Sequence, residues 1–250
     1  MKKIILGTFI YLCIFYAKII TAQLGNGIAF PGTIRQTNDC SDIDSEALKL
    51  NDIKDGNGSI ATSYTVSACG LNFVTTTVRL NQRSFGGVTP PTGATQPAAI
   101  TVSGLPSCFI STTVTRAFLY CGGSGNGVGI SANITNTANV TQTFPMTMIG
   151  THFDKCWGYV GTYNYRADVS SIINGNGSYT LSGLPANTGT NDMDGATLFI
   201  IYRDPTQTYT GHFIIADGCI EGSGIGTWNI TSFNVCGATN SQTNFAIVSD

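Results

Sequence analysis

Two apolar runs separated by a short polar turn form the clearest pattern in the chain. Residues 196–202 are a continuous run of strand-forming side chains, and the run is short for a buried helix. A turn follows at residues 203–207, where Pro205 has no amide hydrogen to donate to a sheet. A second apolar run covers residues 209–216 and ends at Asp217. The pattern predicts a β-hairpin at the centre of a sheet.

Similar short runs recur along the rest of the chain. Residues 60–66 and 71–80 alternate apolar and threonine positions, as half-buried strands do. Further strand patterns occupy residues 99–105, 113–121, 129–143, 144–149, 178–184, 228–235 and 245–248. Only residues 41–48 and 166–173 have the features of a helical turn. We therefore predict an all-β fold in which two antiparallel sheets pack as a jelly-roll-like β-sandwich, in preference to a closed barrel.

The first 22 residues have the pattern of a secretory signal peptide. Two lysines precede an apolar stretch at residues 4–17, and Ala22 closes the segment with a small side chain. An N-terminal anchor helix is the alternative, but it needs about 20 apolar residues. Lys18 leaves too few for such a helix. We expect cleavage after Ala22, no membrane span in the mature chain, and a secreted protein at the cell surface or outside the cell.

The composition suits a surface β protein better than a nucleic-acid-binding one. Only 10% of the residues are charged, against about 25% in an ordinary globular chain. The net charge is −2, and no cluster of lysine or arginine follows the start of the chain, so nucleic acid is not an expected partner. Residues 23–250 are expected to form one domain. The Pro- and Gly-rich segment 86–98 is the best candidate for a subdivision.

Cysteine content predicts disulfides. The chain has eight cysteines, and Cys13 lies in the predicted signal peptide. Secretion makes disulfide bonding the expected state of the others, and none of them has Cys-x-x-Cys spacing. The candidate bridges join Cys219 to Cys236, Cys121 to Cys156, and Cys40 to Cys69. An odd number remains after cleavage, so one thiol stays free, and Cys108 is the candidate.

Five short motifs occur in a fixed order between residues 100 and 220. They are RAFLY at 116–120, YRADV at 165–169, NGNGSYTL at 174–181, GATLFIIYRDP at 195–205 and DG at 217–218. Together they resemble a secreted β-sandwich module of large bacterial surface proteins, which is frequent in the Bacteroidetes and often adhesin-like or gliding-associated. The resemblance implies a structural or adhesive surface role, with other surface proteins or glycans as partners. The module often has tryptophan where this chain has Cys121, and that departure favours a disulfide there.

The chain carries no complete catalytic motif. Ser124 misses the last position of a Gly-x-Ser-x-Gly elbow, and the chain has two histidines. His212 lies in an apolar run, as a structural strand histidine would, whereas His152 lies beside Asp154 in a predicted loop. We therefore expect a non-catalytic protein. An extracellular hydrolase that uses His152 and Asp154 is an alternative.

Two features are compatible with a ligand. The aromatic cluster Trp157, Tyr159 and Tyr163 could stack on sugar rings, or it could belong to the core. Asp192 and Asp194 resemble the middle of a calcium loop, although the full EF-hand pattern fails and both could simply form a turn. A carbohydrate-binding module, with or without calcium, is therefore the second functional hypothesis.

The strand pattern at residues 245–248 suggests a further kind of interaction. A strand with an unpaired edge can add to the sheet of a neighbouring subunit. Self-assembly through strand edges is therefore also expected.

Overall fold

The fold is taken from a computed structural model of the chain. It describes residues 14–22, 45–48, 54–55, 61–80, 96–106, 114–153, 159–185, 191–207, 209–219 and 242–249. Within these ranges the regular structure is β, apart from a single 3-10 turn at Ser170–Ile172. No helix in this part of the chain is long and apolar enough to cross a membrane.

The described ranges contain fourteen strands. In chain order they are β1 (Ile14–Ala22), β2 (Ser45–Leu48), β3 (Lys54–Asp55), β4 (Ala61–Cys69), β5 (Leu71–Arg79), β6 (Ala98–Val102), β7 (Val114–Gly125), β8 (Ile130–Thr135), β9 (Thr141–His152), β10 (Gly161–Asp168), β11 (Gly177–Ser182), β12 (Asn191–Arg203), β13 (Thr210–Asp217) and β14 (Gln242–Ser249).

The strands form two sheets. The smaller sheet has five strands in the order β14-β1-β13-β4-β2, and all neighbours are antiparallel. The larger sheet has nine strands, eight of them in the order β5-β12-β7-β10-β9-β8-β11-β6. The ninth, β3, pairs in parallel with β9. The two edge strands of the larger sheet, β5 and β6, approach each other, so this sheet curls into a nearly closed barrel.

The prediction of an all-β, antiparallel fold is confirmed. The finer prediction, a two-sheet jelly-roll-like sandwich in preference to a barrel, is not confirmed. The physical reason is the curl of the larger sheet, which surrounds a core of its own. Strand patterning reveals which side chains are buried, but it does not reveal whether a sheet stays open or curls.

The predicted hairpin at residues 196–216 is wrong in its pairing. Both runs are strands, and the intervening turn is present, but β12 pairs with β5 and β7 whereas β13 pairs with β1 and β4. The chain therefore passes from the larger sheet to the smaller one at this turn. The β4–β5 connection at Gly70 crosses between the same two sheets. Both strands of the expected hairpin are apolar on both faces, so their patterns do not specify the partner.

Two apolar clusters form the core, and β12 contributes to both. Leu198 and Ile200 belong to the cluster inside the curled sheet. Phe199 and Ile201 belong to a second cluster, which also contains residues of β4 and β13 from the smaller sheet. Consecutive residues of β12 thus face different clusters. A strand that is covered on both faces has no polar side, and residues 196–202 are therefore continuously apolar in the sequence.

Two smaller predictions need correction. Residues 45–48 of the predicted helical turn at 41–48 form strand β2, which pairs with β4. In the predicted turn at 166–173, the first three residues instead continue β10, and the 3-10 turn begins at Ser170. Most of the candidate subdivision at 86–98, and the strand pattern at 228–235, lie outside the described residues.

Candidate functional site

Exposed apolar side chains gather at one end of the larger sheet. Val128, Phe153 and Val160 are 47%, 58% and 74% exposed. Val128 follows the end of β7, Phe153 follows the end of β9, and Val160 precedes β10. These three strand ends are neighbours, because Gly161 pairs with Gly125 and Thr162 pairs with His152. We call Val128, Phe153 and Val160 the apolar end.

The side chain of His152 packs against Phe153 of the apolar end. Its ring lies 4.2 Å from the ring of Phe153, centroid to centroid, at an interplanar angle of 36°. Its Nδ1 lies 3.1 Å from the backbone carbonyl oxygen of Phe153. The histidine itself is buried. The contact favours one orientation of the neighbouring phenyl ring, which lies over the imidazole and still faces solvent.

Buried tyrosines hold the adjacent β7–β8 loop. Tyr163 and Tyr165 are both buried in the core of the curled sheet. The hydroxyl of Tyr165 donates a hydrogen bond to the carbonyl oxygen of Val128, at 3.0 Å, and burial raises the pKa of this hydroxyl. A Cβ at Gly127 would lie 2.8 Å from the ring of Tyr163, so the loop backbone rests directly on the aromatic ring.

The predicted aromatic cluster is therefore divided. Tyr163 is buried in the core cluster, which favours the core alternative for this residue. Tyr159 is half-buried next to Val160. Trp157 lies outside the described residues, and so does Asp154.

Asp192 and Asp194 lie on a strand rather than in a turn. Both are buried on β12, and Asp192 pairs with Ser124 of β7. A bulge follows at Met193–Gly195, and the carbonyl oxygen of Asp194 accepts a hydrogen bond from the Leu80 amide at 2.7 Å. Among the described side chains, no group of three or more His, Cys, Asp or Glu could hold a metal ion.

Ser124 and His152 lie on different strands of the larger sheet. Ser124 is completely buried on β7 and pairs with Thr162 of β10, which in turn pairs with His152 of β9. Two strand spacings, about 10 Å, therefore separate the serine from the histidine. A nucleophile and its base need hydrogen-bond distance, so this pair does not form a Ser–His dyad.

A buried ion pair links the two sheets, and sequence reasoning missed it. Nη1 of Arg166 on β10 lies 2.5 Å from Oδ2 of Asp217 on β13, and their side chains are 3% and 0% exposed. The hydroxyl of Tyr120 donates to the same carboxylate at 3.3 Å, and the guanidinium lies 5.4 Å from the ring centroid of Phe118. Burial and the charge of Asp217 raise the pKa of Tyr120. The acidic Asp217, directly after the apolar residues 213–216, was the available sequence signal.

The free cysteines differ from the expected ones. Cys121 and Cys219 are buried free thiols, so the predicted bridges Cys121–Cys156 and Cys219–Cys236 are absent from the structure. The Cys121 side chain points into the core, where its sulfur lies 3.5 Å from that of Met146. Cys69 is disulfide-bonded, and its partner is not among the described residues. The Cys40–Cys69 bridge remains a prediction.

Comparison with known proteins adds no identity to this picture: no protein family, curated protein or solved structure matches the chain.

Proposed function

We propose that the chain is a secreted, non-catalytic cell-surface protein with an adhesive role, and that its apolar end makes the contact. The observation that carries the proposal is the location of the exposed apolar side chains. Val128, Phe153 and Val160 share one end of the curled sheet, at three neighbouring strand ends. Single exposed apolar residues are ordinary, whereas grouped ones typically mark an interaction site.

The scaffold behind the apolar end is well suited to presenting it. Loop residues bind well when a rigid element positions them. Here the loops at Val128 and Phe153 are held by Tyr165 and His152, both of which are buried. A preorganised apolar surface loses little conformational entropy on binding, which increases the affinity of the contact.

Surface localisation is supported by the sequence. The predicted signal peptide, the low charge content and the resemblance to bacterial surface modules all favour secretion. The expected partners are other surface proteins or glycans. The disulfide bond of Cys69 suits the same oxidising compartment.

A carbohydrate-binding module is the second candidate function. Tyr159 is half-buried beside the exposed Val160, and Trp157 lies close by in the sequence. Aromatic side chains offer flat apolar faces on which sugar rings can stack, and this favours a glycan as the ligand in this second hypothesis. Calcium dependence of this binding, through Asp192 and Asp194, is part of the same hypothesis.

Binding of the labelled mature protein to cells that lack its gene tests the adhesive function, with flow cytometry as the readout. We expect Phe153→Ser combined with Val160→Thr to weaken cell binding about tenfold or more, because each apolar anchor contributes about 1–2 kcal/mol. Val140→Thr is the matched control. Val140 is 50% exposed but precedes β9 at the opposite end, so binding should change less than about twofold.

Two results would contradict the adhesive function: absence of cell binding by the unmodified protein, or an equal loss in the Val140 control. A glycan array with calcium and with a chelator separates the candidates. Glycan binding that is lost in Tyr159→Ala favours the carbohydrate-binding module. Hydrolysis of a defined substrate by the purified chain would contradict a non-catalytic protein.

A further inference from the structure

Strand β1 is formed by the last residues of the predicted signal peptide. Within the smaller sheet it lies between β13 and β14. It pairs with β13 from Ala17 to Ala22, and with β14 from Ile14 to Thr21. The strand ends at Ala22, the same residue after which we expect cleavage. Secretion would therefore remove the whole strand.

Loss of β1 leaves two unpaired strand edges. One edge of β13 pairs with β4 and the other with β1. Within the described strands, β14 pairs with β1 alone. Backbone amide and carbonyl groups on an unpaired edge form a template for another strand. The mature chain would thus have one vacant position beside β13 and one strand, β14, without its sheet neighbour.

The same chain cannot restore the original pairing by a simple sideways shift of β14. Both β13 and β14 are antiparallel to β1, so they run parallel to each other. Moving β14 next to β13 would give a parallel pair with a different hydrogen-bond pattern. A strand that takes the place of β1 in its own geometry must run antiparallel to β13. A β14 strand from another copy can approach in that direction.

We propose that the mature chains assemble by strand insertion, with β14 of one copy replacing β1 beside β13 of the next copy. This inference names a partner for the proposed surface protein, and it rests on the secretion part of that proposal. The partner is a second copy of the same chain. The contact joins two different surfaces, so it repeats from copy to copy and gives a filament or a closed ring.

The length and composition of β14 suit the vacant position. It has eight residues, it pairs with β1 at eight positions, and it carries no charged side chain. Its central residues, Phe245 to Val248, are aromatic, small or β-branched, which is typical of strands. Burial also favours insertion. Phe213, Ile214 and Ile215 of β13 are apolar and buried, so the position beside this strand suits an uncharged strand such as β14.

The test uses the full chain, expressed with its own N-terminus and recovered from outside the cell. Intact-mass measurement establishes that it begins at Gln23, and light scattering with electron microscopy establishes its assembly state. Ala246 is at the middle of the β1–β14 pairing. Ala246→Pro removes a backbone donor and fixes the backbone, whereas Ala246→Val keeps both the donor and the strand preference. Circular dichroism shows whether each variant folds.

We expect ordered assemblies of the unmodified chain and of Ala246→Val, and monomers of Ala246→Pro. A peptide of residues 14–22 should occupy the vacant position and lower the assembled fraction at least fivefold, whereas a scrambled peptide should not. The peptide experiment does not depend on the folding of any variant.

A chain that begins at Gln23 and remains monomeric overturns strand insertion and leaves the proposed surface function standing. Assemblies that persist in Ala246→Pro and resist the peptide also overturn it, because another contact must then hold them. A chain that stays inside the cell and keeps residues 14–22 overturns both proposals.

Discussion

The backbone amide of Asp204 donates a hydrogen bond to the carbonyl oxygen of Gly70, at 2.7 Å. Gly70 connects β4 to β5, and Asp204 lies between β12 and β13, so the bond joins the two places where the chain crosses between the sheets. The Gly70 amide in turn donates to the carbonyl oxygen of Tyr209 at 2.8 Å. The two crossings therefore form one double corner, and the relative position of the sheets depends on it.

Gly70→Ala is expected to lower the free energy of unfolding by about 2–4 kcal/mol. Gly70 has a φ of +62°, which an alanine adopts only with strain, and a Cβ there would overlap the carbonyl oxygen of Asp204. Gly129→Ala is the control, because a Cβ at Gly129 meets nothing within 4 Å. Urea unfolding of both variants measures the difference. Equal stability of the two variants would show that the double corner is not a tight contact.

Removing one member of the buried ion pair should be costly. Arg166→Met leaves the Asp217 carboxylate buried without its cation, and we expect a loss of about 3–5 kcal/mol in unfolding free energy. The matched control is Arg116→Met. Arg116 forms an ion pair of the same length with Asp168, but the two side chains are 32% and 29% exposed, so the expected loss is about 1 kcal/mol or less. Similar losses in both variants, measured by thermal unfolding, would contradict a special role for the buried pair.

The thiol of Cys219 should make stability depend on alkaline pH. Burial raises its pKa from 9.0 to about 12. A raised pKa in the folded state means that the unfolded chain loses its proton first, so this contribution to stability is complete below pH 9 and is lost as the pH rises towards 12. At about pH 10.5 the wild type should have lost about 2 kcal/mol relative to its value at pH 8, and Cys219→Ala should lack this part of the decrease. Unfolding curves at both pH values measure it, and parallel pH profiles of the two proteins would contradict the burial of this thiol.

The thiol of Cys121 should resist modification in the folded protein. It is buried beside Met146, and burial raises its pKa, so little reactive thiolate forms at pH 8. We expect iodoacetamide to label it only after denaturation, as mass spectrometry of the Cys121 peptide would show. Rapid labelling of the native chain would indicate that this part of the core opens.

Tyr165→Phe should affect binding more than stability. The hydroxyl of Tyr165 holds the carbonyl oxygen of Val128, and its loss costs about 1 kcal/mol. The β7–β8 loop would lose a fixed position at the apolar end, so we expect cell binding to fall severalfold. Tyr202→Phe is the control, because its hydroxyl donates to Gly104, which does not belong to the apolar end. A similar decrease in binding by both variants would argue against the apolar end as the contact surface.

Local features of the fold could be predicted from the sequence, whereas its long-range pairings could not. The run at residues 196–202 identified β12 and its burial on both faces, because that property is encoded in consecutive side chains. Pairing of β12 with β5 and β7 depends on segments 66 or more residues away. The double corner at Gly70 and Asp204 was missed for the same reason: a turn sequence specifies the turn and does not specify which sheet follows.

The candidate site shows the same limit. The sequence left a core position open for Tyr163, and the residue is buried. The grouping of Val128 with Phe153 and Val160 requires the neighbouring order of β7, β10 and β9, which no local pattern contains. The alternative that Asp192 and Asp194 simply form a turn does not hold, because both lie within β12, where Asp192 pairs with β7 and Asp194 falls in a bulge.

Intact-mass measurement of the chain recovered from the cell surface and from the culture medium tests most directly whether this is a secreted surface protein. We predict a protein outside the cell that begins at Gln23, so that the segment forming β1 has been removed. A chain found only inside the cell, with residues 1–22 still attached, would contradict the surface function.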